Sequence, residues 1–356
     1  MSTRSVRTHR LGAVVLLAVL VYSPSIARAQ WVAQNAGTDA SFRGMSVLAP
    51  GVVWISGTRG AFAWTDDSGR AWHPGHVADA GSLDFRAVHA ISRDTVLLMV
   101  SAQDTARIYR TTDRGATWTV QYRDESKGAF LDGMAFFDSL HGLALGDPVG
   151  GHFALLETRD GGIHWGPIPA SALPPALTGE GAFAASGTAL VICGAHDAWF
   201  ATGGAAVSRV FHSSNGGASW SVAETPIQAG GAPVGIFSLA CRDAARLVAV
   251  GGNYAKPDAT RITVAHSEDG GQTWSAAAPS AATSFMSGVA YVEATPGSRR
   301  LVAVGTEGTV FSVDGGRTWS RLDARSLNVV ISDGRGSAWA AGARGAVAHL
   351  DRLDPM

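Results

Sequence analysis

Short apolar runs separated by Gly-rich or charged breaks fill the chain from residue 42 onward. The first three are FRGMSVLA, GVVWISG and GAFAWT; a polar turn follows, and then AWHPG. Later units repeat the scheme as FRAVHAI, TVLLMVS and ARIYRT; DGMAFFD, HGLALG and FALLET; GAFAAS, ALVICGA and SRVFHS; GIFSLAC, RLVAVGG and RITVAHS; SGVAYVE, RLVAVG and GTVFSV. Runs this short, rich in Val, Leu, Ala and aromatic residues and bounded by turn formers, predict β-strands. Each unit closes on a polar turn and a fourth strand that opens with Trp.

The polar turn recurs with constant internal spacing: TDDSGRAW (65–72), TTDRGATW (111–118), TRDGGIHW (158–165), SSNGGASW (213–220), SEDGGQTW (267–274) and SVDGGRTW (312–319). Successive tryptophans stand 46, 47, 55, 54 and 45 residues apart. Such a period marks a solenoid, a propeller or an array. The local chemistry suits a tight corner between antiparallel strands. The Asp or Asn side chain accepts backbone N–H groups of its own turn, Gly supplies a positive φ, and the Trp ring covers the corner.

This pattern resembles the Asp-box, or BNR repeat, over essentially all of the chain beyond the leader. Asp-boxes occur in the β-propellers of sialidases, sortilin-type receptors and the photosystem II stability/assembly factor-like proteins. The resemblance implies that the box joins the third and fourth strands of a blade at the outer rim. Asp67, Asp113, Asp160, Asn215, Asp269 and Asp314, with Trp72, Trp118, Trp165, Trp220, Trp274 and Trp319, are then structural.

Six boxes close six units. After the sixth, LNVVISD, SAWAAGA and GAVAHLD supply three more strands and no fourth. WVAQNAG (31–37) begins with Trp31 as a post-box strand does and is otherwise an orphan. Placing it as the outer strand of the last unit predicts an all-β, seven-bladed β-propeller with four-stranded antiparallel blades, closed by the N-terminal strand. Closure also removes an exposed sheet edge. Six blades plus a stray segment is the alternative. A single domain is expected over 30–356.

Residues 1–29 stand apart. Arg4, Arg7 and Arg10 precede an apolar run from Leu11 to Val21, and Ala27-Arg28-Ala29 fits a small-x-small cleavage site. This predicts a signal peptide, since the run is shorter than the ~20 residues of a spanning helix. The mature chain is expected to be periplasmic or secreted, with no membrane span. In an oxidising compartment Cys193 and Cys241 could pair; two separately buried thiols are the alternative.

The 356 residues carry 28 basic and 29 acidic side chains. That balance argues against nucleic acid, which needs a basic surface. No His pair has zinc-ligand spacing, and no Gly-rich dinucleotide loop or nucleophile elbow follows a strand. No metal and no cofactor are expected.

Binding residues are expected on loops of the rigid frame. At the starts of the innermost strands the sequence places Arg43, Arg86, Asp132, Glu180, Phe237 and Ser287, a ring around the central funnel. Loops between second and third strands read as long in blades two to five: VSAQDTAR, GDPVGGHF, HDAWFATGGAAVSR and GGNYAKPDATR. They bring Asp147, His152, Arg209, Tyr254 and Lys256 to the same face. The seven-blade count and the DGG-x-x-W box are most similar to the photosystem II stability/assembly factor-like proteins. That resemblance implies a non-catalytic exported accessory that grips a protein or peptide partner. The alternative is a sialidase-type glycoside hydrolase acting on glycans. SFRG (41–44) resembles the Phe/Tyr-Arg-Ile-Pro motif of sialidases, but Gly44-Met45 replaces Ile-Pro and no third triad arginine is apparent.

Overall fold

The computed structural model describes residues 31–259, 261–278, 284–292 and 297–351; the signal peptide expected over 1–29 lies outside them. Seven four-stranded antiparallel sheets form a ring of blades. The innermost strands, in blade order, are Phe42–Ala49, Phe85–Ala90, Leu131–Phe136, Leu190–Cys193, Val234–Cys241, Gly288–Tyr291 and Val329–Ser332. Trp31–Asn35 pairs antiparallel with Ala346–Leu350 and completes the seventh blade. The Trp31 indole N–H donates to Thr309 Oγ1 of blade six at 3.3 Å, so the closing strand is tied to its neighbour as well. Among the described residues no helix is long and apolar enough to cross a membrane.

The core lies between blades. Trp54, Trp199 and Trp339, on the second strands of blades one, four and seven, are fully buried. Truncating a core Trp costs about 3–5 kcal/mol, so each contributes much of a blade–blade contact. Cys193 and Cys241 are joined in a disulfide with Cα atoms 6.2 Å apart. It staples the ends of the inner strands of blades four and five, which resolves the two options left by the sequence.

Each box sits between the third and fourth strands of its blade. In all six the Ser or Thr hydroxyl donates to the Asp or Asn Oδ1 at 2.7–2.9 Å. The Ser or Thr hydroxyl oxygen in turn accepts the Gly N–H at 2.9–3.0 Å. The Asp or Asn Oδ1 also accepts the amide four residues on. The box glycine has a second reason to be glycine. A Cβ on Gly162 would stand 2.2 Å from Leu97 Cδ2 of the preceding blade, and one on Gly271 would stand 3.3 Å from the Trp199 indole nitrogen. The corner is therefore also a docking contact between blades.

Blade four departs from the sequence reading. Its strands are Leu190–Cys193, Asp197–Ala201, Ser208–Ser213 and Ser221–Thr225. ALVIC is the innermost strand rather than the second, and DAWFA is the second strand rather than part of a loop. GAFAAS forms no strand; it runs into the funnel. A small-residue stretch with one aromatic fits an apolar strand by composition, but tertiary contacts decide here. The long loops expected in blades two and three are also absent. Val96–Ala102 and Thr105–Thr111 leave two residues between them, as do Gly142–Val149 and His152–Thr158. The polar residues lie on strand ends that project from the face.

Candidate functional site

The inner strands carry a β-bulge near their start in four blades. The register skips Arg43 between Phe42 and Gly44, Arg86 between Phe85 and Ala87, Asp132 between Leu131 and Gly133, and Phe237 between Ile236 and Ser238. A bulge leaves its extra residue unpaired and re-aims the side chain. Arg43, Arg86, Asp132 and Phe237 thus share one backbone device at equivalent positions in four blades. Ser287 lies just before its strand and donates to Asn328 O of the next blade at 2.8 Å.

Glu180 does not belong to that ring, because GAFAAS is not an inner strand. Its carboxylate is buried and accepts the Arg209 Nε–H at 2.8 Å, a second bond from Arg209 Nη2, the Thr202 hydroxyl at 2.6 Å and the Leu177 N–H at 2.8 Å. Arg209 is not a loop residue either; it lies on the strand Ser208–Ser213 and also donates to Pro175 O at 3.0 Å. This pair is a structural clamp that fixes the entry of residues 181–186 into the funnel.

Those residues fill the ring. Arg43 Nη1 donates to Ala185 O at 3.4 Å, and Arg86 Nη1 donates to Ala184 O at 3.3 Å. Asp147 Oδ1 accepts the Ala182 N–H at 3.1 Å. Gly181 and Gly203 exchange both backbone hydrogen bonds. The Ala184 N–H faces Asp132, yet neither oxygen of that fully buried carboxyl makes a hydrogen bond of ordinary geometry. Phe183 stacks on Phe237 with centroids 3.9 Å apart, and Phe285 meets Phe237 edge-on at 4.8 Å. Sequence reasoning missed Phe183 and Phe285. The one available signal was a lone aromatic in a run of Gly, Ala and Ser.

The electrostatics follow from burial. Burial pushes the Asp132 carboxyl well above the usual range, and the nearby Asp147 adds to it. Asp147 is itself raised by burial. Arg43 is lowered by burial and then by Arg86, whereas Arg86 has a carboxylate beside it, Asp84 at 2.8 Å.

Beside the filled funnel a cleft of about 720 Å³ remains, lined by Gln103, Phe130, Asp147, Pro148, Leu177 and Phe183 among others. Tyr254 is exposed and stands edge-on to Phe237 at 6.0 Å; Lys256 is exposed in the same loop. His152 lies at a hairpin tip beside Gly151. A second cavity of about 490 Å³ lies against the later residues of the inner strands and includes Ser46, His89, Thr188 and Ser332. Burial pushes the His89 imidazole down to about 4, and it stacks on Phe136 at 4.3 Å. Among the described residues no group of three or more His, Cys, Asp or Glu is placed to hold a metal ion.

A family model described as "Photosynthesis system II assembly factor YCF48" matches residues 126–327. No curated protein matches the chain. Among solved structures it is similar to one described as "YCF48 bound to D1 peptide", at 16% identity and TM-score 0.63, over 93% of this chain and 99% of that one. It is likewise similar to YCF48 from Cyanidioschyzon merolae, at 16% identity and TM-score 0.64, over 90% and 99%. A GH74 enzyme from Niastella koreensis aligns at 14% identity and TM-score 0.59, over 91% of this chain but 54% of that one. At these identities the structural likeness shows the fold, whereas the family model spans more than half of the sequence. The chain belongs to the photosystem II assembly factor YCF48 family.

Proposed function

We propose that this chain is an exported, non-catalytic binding propeller that holds a peptide segment of a partner protein on its funnel face during assembly of a larger complex. One observation carries the reading. Charged side chains from the first three blades converge on the peptide groups of an extended segment at the funnel, so this face handles main chain. Family membership and a relative described as bound to a D1 peptide support the same reading. The leader and the disulfide support export, because such bonds persist in oxidising compartments. A glycoside hydrolase needs two carboxyl groups flanking a substrate bond. Of the funnel-face acids named from the sequence, Asp132 is fully buried and Glu180 is held by Arg209, which leaves Asp147 facing the cleft.

The test uses the chain from residue 30 as bait in the exported fraction of its host. A reproducible protein partner is expected, with recovery reduced at least tenfold by Tyr254→Ala combined with Asp147→Asn. Equal recovery by the folded variant would overturn the funnel-face assignment. Hydrolysis of a glycan reporter by the purified chain would replace binding by catalysis.

A further inference from the structure

The segment Gly181–Ser186 is held as a bound peptide would be held. The geometry points to a funnel site for an extended peptide in which one aromatic residue is flanked by Gly, Ala or Ser, occupied here by the chain's own residues 181–186. This rests on the reading that the face binds a peptide, and it names the chemistry of that peptide.

Three features define the ligand. First, the main chain is read at both kinds of group. Asp147 accepts an N–H, Arg86 and Arg43 donate to two successive carbonyls, and Gly203 pairs in β fashion with Gly181. Such contacts select an extended backbone without selecting side chains. Second, there is a slot for one ring. Its floor is Gly203 and Gly235, where a Cβ would come within 2.7 and 2.8 Å of Phe183 Cε2, and its wall is Phe237 stacked at 3.9 Å. Third, the neighbours must be small. A Cβ on Gly181 would lie 2.9 Å from Asp147 Oδ1, and Ala182, Ala184 and Ala185 are buried.

The occupant fits imperfectly, and this makes it exchangeable. The two arginine bonds are long at 3.3 and 3.4 Å, and weaken accordingly. Arg43 makes no ion pair among the described residues. Asp132 faces the Ala184 N–H of the segment only in poor geometry, and a buried polar group left short of a partner costs about 1–3 kcal/mol. A partner segment with the same pattern can meet these groups better than a tethered one whose entry is fixed by Glu180 and Arg209. The internal segment then lowers apparent affinity by competing for the site.

The test adds synthetic acetyl-Gly-Ala-Phe-Ala-Ala-Ser-amide to the full mature chain, with a control peptide carrying Ala in place of Phe. Phe183→Ala empties the slot; Phe183→Leu is the milder second variant should the first fail to fold. The Phe peptide is expected to bind a folded variant at least tenfold more tightly than wild type and to raise its Tm. The control peptide should not bind, and Asp147→Asn in the variant background should weaken binding. Peptide binding that is absent from, or equal in, wild type and every folded variant would overturn the proposal and make residues 181–186 a fixed part of the core. Because the probe is the chain's own sequence, that result leaves the partner experiment standing, and failure to capture a partner leaves this one standing.

Discussion

The box corners and the funnel segment solve one problem, how to satisfy an irregular backbone, in opposite ways. The amides of a box corner find their hydrogen-bond partners within their own blade. Ser267 and Asp269 meet the amides of Gly271 and Thr273, all within a few residues. The funnel segment depends on distant partners. Ala182 relies on Asp147, Ala184 on Arg86 and Ala185 on Arg43, up to 142 residues away. Local satisfaction can be copied six times, because each copy carries its own partners. At the funnel, three such distant partners gather on one segment, where blade four sends its incoming chain into the ring.

The largest way to break the contrast is Arg209→Ala. It leaves the Glu180 carboxylate buried without its cation, and such a loss costs about 3–5 kcal/mol. Denaturant unfolding should show that drop, and hydrogen exchange at Ala182 and Ala184 should rise while the box amides Gly162 and Gly271 stay protected in the native state. Next is Ser267→Ala, which orphans the buried Gly271 N–H. A loss of about 1–3 kcal/mol is expected, with the funnel amides unaffected.

The smallest effect is in pH. Thr117, through its hydroxyl and amide, and then Thr111 hold the exposed Asp113 carboxyl down to about 2. With a folded value below the ordinary 3.8, its contribution is present above 3.8 and is lost as pH falls toward 2. Asp132 runs the other way. Its folded value lies well above 3.8, so its contribution is complete below 3.8 and is lost as pH rises through the raised value. A Tm profile across pH should therefore show a decline as pH rises above 3.8 that Asp132→Asn removes and an acid decline that it retains. Parallel limbs above pH 3.8 in the two proteins would mean that folding does not raise the Asp132 carboxyl.

The repeat was legible because its chemistry is written within eight residues, and closure was legible because Trp31 had no partner nearer than the last blade. Arg43, Arg86 and Asp132 were legible as equivalent positions because each stands at the start of the innermost strand of its unit. Glu180 was misplaced for the same reason. GAFAAS resembles an inner strand in composition, so the unit was aligned one strand too early, and Arg209 was assigned to a loop that contains the strand Asp197–Ala201. The paired glycines read as turn formers alone, and nothing local reveals that Gly162 abuts Leu97 of another blade.

The sequence by itself determined the blade, the count of seven and the ring's closure, since periodicity and corner chemistry depend on neighbours along the chain. Only the tertiary structure decided what fills the funnel, which carboxylate meets which arginine and that the two cysteines meet. Those outcomes depend on distances across the axis between blades far apart in sequence, where burial and charge act through space.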